Sequence, residues 1–263
     1  MIPKIIHYCW LSNDPFPEEI QNCMASWKEK LQDYELVLWN FDRFDINSSL
    51  WVKEAFSAKK YAFAADYIRL YAVYNYGGIY LDSDIEIKKP FDDLLNAEYM
   101  FAYESNESKA VEMACFGAVK GSPFIGKILE YYKDRNFVKA DGTYDIIPIT
   151  RIARDILAEF ILSNNLVIFP DDYFTVKCHK TGLITPSQNT YAVHHFAMSW
   201  YSDLRKKFVK RRRKIIALFG DNIFSKVIEL LLNFCTRIKV MGCKNGLSYY
   251  VKRYIKRGPC CVD

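Results

Sequence analysis

The chain has 263 residues, of which 51% are apolar and 25% charged, and its formal net charge is +5. This suits one large domain, or one domain with an appendage, and the apolar share is enough for a substantial core. No stretch reaches the roughly 18 uninterrupted apolar residues of a membrane-spanning helix. The start of the chain, "MIPKIIHYCW", lacks the basic region and long apolar run of a signal peptide. None of the eight cysteines forms a CxxC pair, which points to reduced thiols rather than a disulfide framework or a zinc site. A cytoplasmic protein is therefore expected. Charge is unevenly spread: residues 201–263 hold 16 Lys/Arg against 4 Asp/Glu, net +12, while residues 1–200 are net −7. The expected organisation is an acidic body, 1–200, and a basic tail, 201–263.

In chain order, residues 2–9 read as a strand opening at Pro3. "PFPEEIQNCMASWKEKL" is a turn and then an amphipathic helix, because Ile20, Met24, Trp27 and Leu31 recur at helical spacing. "YELVLWN" is a second strand. Residues 61–76 predict a helix rich in Ala and Tyr, stopped by Gly77 and Gly78, and "IYLD" is an apolar strand. Residues 99–104 and 113–121 read as strands, 122–134 and 150–162 as helices, 166–170 as a short strand and 190–196 as the last strand of the body. Strands alternating with helices predict an α/β fold with a mostly parallel central sheet.

The strand at 79–82 runs into Asp82, Ser83 and Asp84. In open α/β sheets, ligands collect at the carboxyl ends of strands. Two acids one residue apart on extended chain point the same way. Close together without a cation they repel, and one holds its proton. A divalent ion that prefers hard oxygen ligands, Mg²⁺ or Mn²⁺, removes the conflict and can bind a diphosphate in turn. Alone, such a pair is as readily a solvated turn. The preceding helix adds weight. Asp66 and Arg69 stand at i and i+3 on one helix face. Their neighbours Ala62, Ala64, Ala65, Tyr67, Ile68, Leu70 and Tyr71 make this a buried helix, where charges need partners. A ligand bearing hydroxyls and phosphates would supply them.

The stretch "AADYIRLYAVYNYGGIYLDSD" resembles the signature of the DXD-containing sugar transferases of glycosyltransferase family 32. It also looks like the equivalent stretch in the glucosylating domains of large clostridial toxins. "IPKIIHYCWL" and "SWKEKLQDYELVLWN" are similar to the family's opening strand and second strand. The resemblance implies a GT-A-like fold and a metal-dependent, retaining glycosyltransferase. Such an enzyme moves a sugar from a nucleoside diphosphate sugar, with UDP expected, to a glycan or lipid-linked glycan acceptor. It implies Trp10 stacking on the base, Asp66 and Arg69 at the sugar hydroxyls and diphosphate, and Tyr80 lining the nucleotide pocket. It further implies Asp82 at the ribose and a metal-bound water, Ser83 beside it, and Asp84 on the metal, Mn²⁺ or Mg²⁺. "YAVHHFAMSW" resembles the family's terminal His-x-x-x-Ser-Trp segment. Ser199 and Trp200 are thereby implied at the donor, and His195 is favoured as a further metal ligand with His194 beside it. His7 reads as structural. The family's Thr-Gly-Pro segment has only Thr150 as a counterpart, so residues for the acceptor are not assigned.

Two other readings are weighed. "IYLDSDIEI" also looks like the strand and Asp-x-Asp of haloacid dehalogenase-type phosphatases, with Asp171 and Asp172 as later acids. That motif normally opens its domain, whereas about 80 residues precede it here. A non-catalytic sugar-nucleotide-binding module is the other, and the intact polar set speaks against it. The tail packs eight basic residues into 205–214. It continues as an amphipathic helix with Ile223, Val227, Leu230, Leu231 and Phe234 on one face. This predicts peripheral attachment to the anionic inner face of the cell membrane, suited to an acceptor carried on lipid, as in capsule or other surface polysaccharide assembly. No nucleic-acid recognition motif is present, so no nucleic acid partner is expected.

Overall fold

The computed structural model describes residues 1–12, 14–163, 165–197 and 203–241. The apolar opening segment forms β1 (Ile5–Cys9), and α1 (Glu18–Lys30) follows with acids in its first turn and lysines in its last, matching the helix dipole. The chain returns as β2 (Glu35–Trp39), parallel to β1 from Ile5 opposite Glu35 to Cys9 opposite Trp39. After a short 3-10 turn come α2 (Leu50–Ser57), whose Val52 N–H is capped by the Ser49 hydroxyl, and α3 (Tyr61–Tyr76). Then β3 (Gly78–Leu81) pairs parallel with the other side of β1. The chain has thus left β1 in both directions. The carboxyl ends of β1 and β3 flank the point where strand order reverses, which is where open α/β sheets bind ligands.

The remaining elements of the body are β4 (Ile85–Ile87), β5 (Tyr99–Met100), β6 (Cys115–Ala118), α4 (Pro123–Glu130), α5 (Ile149–Leu162) and β7 (Ala192–His194). The main sheet has the order β2-β1-β3-β6-β5, with β6 antiparallel to both its neighbours. Four of its five strands therefore run one way, and the expected α/β class with a mostly parallel sheet is what is found. Strands β4 and β7 form a separate antiparallel pair in which Ile85 lies opposite His194. The segment 166–170, expected as a strand, contributes only a bridge between Phe169 and Ala102. Leu50–Ser57, given no element from sequence, is a helix. The three-residue β4 is too short to leave a period-2 signature of its own.

Two apolar cores flank the sheet. Tyr80 faces the one built with α2, α3, α4 and α5, while Ile79 and Leu81 face the other with α1, β4 and β7, as strand alternation requires. Helix α3 is buried nearly all round, with Ala64, Ala65, Asp66, Ile68, Arg69, Leu70, Ala72 and Val73 all buried. Gly77 and Gly78 have φ of +70° and +107°. A Cβ on Gly78 would stand 2.7 Å from the Ile5 carbonyl oxygen, so only glycine lets α3 end and β3 begin against β1. His7 is structural, as read from the sequence. Its Nε2 is 2.8 Å from the Gly77 carbonyl oxygen and its Nδ1 accepts from Trp39 Nε1–H at 3.1 Å. Helix α1 holds β4 through Trp27 Nε1–H, which donates to the Ile85 carbonyl, and Ser26 Oγ, which accepts from Ile87 N–H.

The chain divides into two compact units, 1–178 with 183–200, and 179–182 with the residues from 201 on. The second contains α6 (Asp203–Phe219) and α7 (Ile223–Met241). Arg211 Nη1 donates to the Leu232 carbonyl and to Thr236 Oγ1, and Arg213 Nε donates to the His179 carbonyl. On α7, Ile223, Phe224, Val227, Leu230 and Leu231 are exposed. No helix among the described residues is long and apolar enough to cross a membrane.

The tight approach at Gly78 has a measurable consequence. Gly78→Ala should destabilise the protein by about 2–3 kcal/mol, through a φ that alanine resists and a clash with backbone that cannot move aside. Urea unfolding reads this directly, and an unchanged midpoint would contradict it.

Candidate functional site

Arg69 organises the inner part of the site. It is buried on α3, and its Nη2 is 3.0 Å from Asp66 Oδ1, one turn earlier. Its Nη1 donates to Asp82 Oδ2 at 3.2 Å and to the Met113 carbonyl at 2.7 Å. The guanidinium also lies over the Tyr80 ring, 4.8 Å from its centroid. Tyr80 and Asp82 share a strand face, and the Tyr80 hydroxyl donates to Asp82 Oδ1 at 2.9 Å. Burial pushes the Asp66 carboxyl up to about 7 despite the opposing charge of Arg69. Asp82 is also raised by burial, with Arg69 opposing.

Asp84 lies beyond a turn. The Asp82 carbonyl accepts from Ile85 N–H, so residues 82–85 are not extended and the two acids do not simply point the same way. Asp82 turns to Arg69. Asp84 faces the segment after β7, where Ala197 N–H donates to its Oδ2 at 2.7 Å and His195 N–H to its carbonyl. His194 Nε2 is 3.7 Å from Asp84 Oδ2, and its Nδ1 is 3.1 Å from Glu112 Oε2. Burial alone would lower the imidazole's pKa, but the Glu112 and Asp84 carboxylates raise it to about 10, and His194 in turn holds Glu112 below the usual carboxylate range despite its burial.

The turn still keeps the acids near one another. One ligand atom each from Asp82, Asp84 and His194 lies within 4.8 Å of the others. Two carboxylate oxygens and one imidazole nitrogen fit Mn²⁺ or Mg²⁺ as a donor set. His195, favoured from the sequence, is turned away: its Nε2 is 2.9 Å from Glu86 Oε2. Pairing with β4 places His194, the last residue of β7, opposite Ile85, and His195 follows it outside the strand. Trp10 follows β1 at the switch point, half-buried, with its Nε1–H on the Asp14 carbonyl and its ring 4.6 Å from that of Phe16. Ser83 occupies the turn between the acids. Ser199 and Trp200 lie outside the described residues.

Glu112 was not singled out from the sequence. The signal was there: a lone acid inside the apolar run "VEMACFGAV" must be buried, and a buried carboxylate needs partners. Glu104, near it, is pushed up to about 7 by burial and by the charge of Glu112. Asp171 and Asp172, the later acids of the phosphatase reading, are taken up by Asn106 and by Ser187 with Asn189.

With this geometry in place, residues 17–101 match the family described as "Glycosyltransferase sugar-binding region containing DXD motif". Through this segment, about a third of its length, the chain is similar to the DXD-containing glycosyltransferases. The chain is 31% identical over 132 residues to inositol phosphoceramide mannosyltransferase 3 of Schizosaccharomyces pombe, covering 49% of this chain and 36% of that protein. It is 30% identical over 145 residues to mannosyl phosphorylinositol ceramide synthase CSH1 of Saccharomyces cerevisiae, covering 52% of this chain and 38% of that one. The chain therefore spans well under half the length of these two relatives. Among solved structures it is similar to PaToxG glycosyltransferase, with a TM-score of 0.43 and 19% identity over 62% of this chain and 74% of that one.

Removing Arg69 strands two carboxylates. Arg69→Met should cost about 3–5 kcal/mol in urea unfolding, since breaking a buried ion network leaves charge without a partner. Asp66 should then titrate above its present value of about 7 in carboxyl NMR. In the unaltered protein, Asp66 is protonated more readily folded than unfolded. Its contribution to stability is thus present at low pH and is lost as pH rises from about 4 to about 7. A stable Arg69→Met protein with an unmoved Asp66 titration would contradict the network.

Proposed function

We propose that this protein is a metal-dependent, retaining glycosyltransferase with a GT-A-like fold, which takes a sugar from a nucleoside diphosphate donor, UDP being the first candidate. The carrying observation is the convergence of Asp82, Asp84 and His194 at the end of β3, beside the buried Asp66–Arg69 pair. Asp84 and His194 would hold the ion, with Asp82 in support. A bound divalent ion supplies charge neutralisation for a departing diphosphate. Arg69 adds a fixed positive charge that needs no reorganisation when the bond breaks. Asp66 orients sugar hydroxyls, and Trp10, at the end of β1, offers an aromatic face to the base. One relative is named as an inositol phosphoceramide mannosyltransferase and the other as a mannosyl phosphorylinositol ceramide synthase, which supports a lipid-borne acceptor. Surface polysaccharide assembly on a lipid carrier is the setting we favour.

A panel of nucleoside diphosphate sugars, mannose donors included, tests this reading. Release of the nucleoside diphosphate should require Mn²⁺ or Mg²⁺, and product NMR should show the donor's anomeric configuration. Asp84→Asn should slow release about 10²- to 10³-fold in a folded protein. Trp10→Ala should weaken UDP binding about tenfold to a hundredfold, the value of one base–aromatic stack. Chelator-resistant release, or inorganic phosphate as the product, would overturn the reading, and binding without turnover would leave a binding module.

The second unit fits a cytoplasmic enzyme attached to an anionic membrane face. Lys207, Lys210 and Lys214 are exposed on α6, and α7 exposes Ile223, Phe224, Val227, Leu230 and Leu231. Basic charge beside an exposed apolar stripe complements a lipid surface rather than another folded protein. Each lysine near such a surface contributes about 1 kcal/mol at low salt. Reversing all three to glutamate should cut co-sedimentation with phosphatidylserine-containing vesicles about a hundredfold. Binding that ignores salt and lipid charge would remove the membrane from the account.

A further inference from the structure

We propose that Glu112 is a positioning residue that orients His194 toward the ion at Asp84, an inference that rests on the metal-binding reading above. Glu112 is fully buried, and both its oxygens are taken. Oε1 accepts from Ala114 N–H at 2.7 Å. Oε2 accepts from Thr175 Oγ1–H at 2.7 Å and lies 3.1 Å from His194 Nδ1. Thr175 is itself buried, and its carbonyl accepts the backbone N–H of His194 at 3.1 Å. One threonine thus holds the backbone of His194 and the carboxylate that holds its ring.

A buried carboxylate is costly unless it is satisfied, and this one is satisfied by a single geometry. With Nδ1 bonded to Glu112, the other nitrogen is the one turned to Asp84, 3.7 Å away. An imidazole on an exposed strand end would sample several rotamers. Here both its plane and the nitrogen offered to a metal are set from behind. Carboxylates behind metal-ligating histidines fix ring orientation and raise ligand basicity, and losing one typically weakens metal binding about 10- to 100-fold. Glu112 touches no ligand in this arrangement and acts only through His194.

The test is Mn²⁺ affinity of the full chain, measured from the free-ion EPR signal without donor or acceptor. Glu112→Gln, close in shape, should weaken Mn²⁺ binding about 10- to 100-fold. In a His194→Ala background the same substitution should change affinity by less than about twofold, because the residue through which it acts is gone. A merely structural loss would appear equally in both backgrounds and would overturn the proposal. Should Glu112→Gln fail to fold, Thr175→Val removes only the hydroxyl on Oε2 and reads the same coupling with a smaller effect, Thr175→Ser restoring affinity. If His194→Ala itself leaves Mn²⁺ affinity unchanged, the metal reading of His194 fails. If it weakens binding while neither Glu112→Gln nor Thr175→Val does, the metal site stands and the positioning role falls.

Discussion

A guanidinium placed inside a protein cannot shed its charge, so everything around Arg69 must answer to it. Asp66 meets it from the same helix, Asp82 from the end of β3, the Met113 carbonyl from the approach to β6, and the Tyr80 ring from beneath. These partners come from three separate elements. Together they set where α3 lies over the sheet and where the strand that carries the acids stops. The glycine pair between α3 and β3 serves the same end, since it lets the helix finish close enough for Arg69 to reach over Tyr80.

The two acids of "LDSD" resolve their mutual repulsion by division. Asp82 spends its charge on Arg69 and receives the Tyr80 hydroxyl. Asp84 is held by the Ala197 amide and faces His194. One ligand atom each from Asp82, Asp84 and His194 comes within 4.8 Å of the others, with the Arg69 guanidinium 3.2 Å from Asp82.

Beside His194, Glu112 and Thr175 form a second polar layer that is fully buried. Within the other unit, the arrangement is of a different kind. The basic residues and polar contacts of α6 engage α7 through Arg211 and Arg212, and the apolar stripe of α7 stays outward.

What the sequence determined by itself was local. The period-2 and helical patterns marked most elements, the Gly-Gly stop placed the end of α3, and the spacing of Asp66, Arg69, Asp82 and Asp84 marked the site along about 20 contiguous residues. These are properties of a short segment, where chain connectivity alone sets the geometry. The placement of His194 rather than His195 beside Asp84, and the contact of Glu112 with His194, are set only by tertiary structure. Both depend on β7 pairing with β4 across about 110 residues, in a register that puts His194 opposite Ile85. A shift of one residue in that pairing would exchange the two histidines, and a three-residue strand carries no pattern long enough to announce its register in advance.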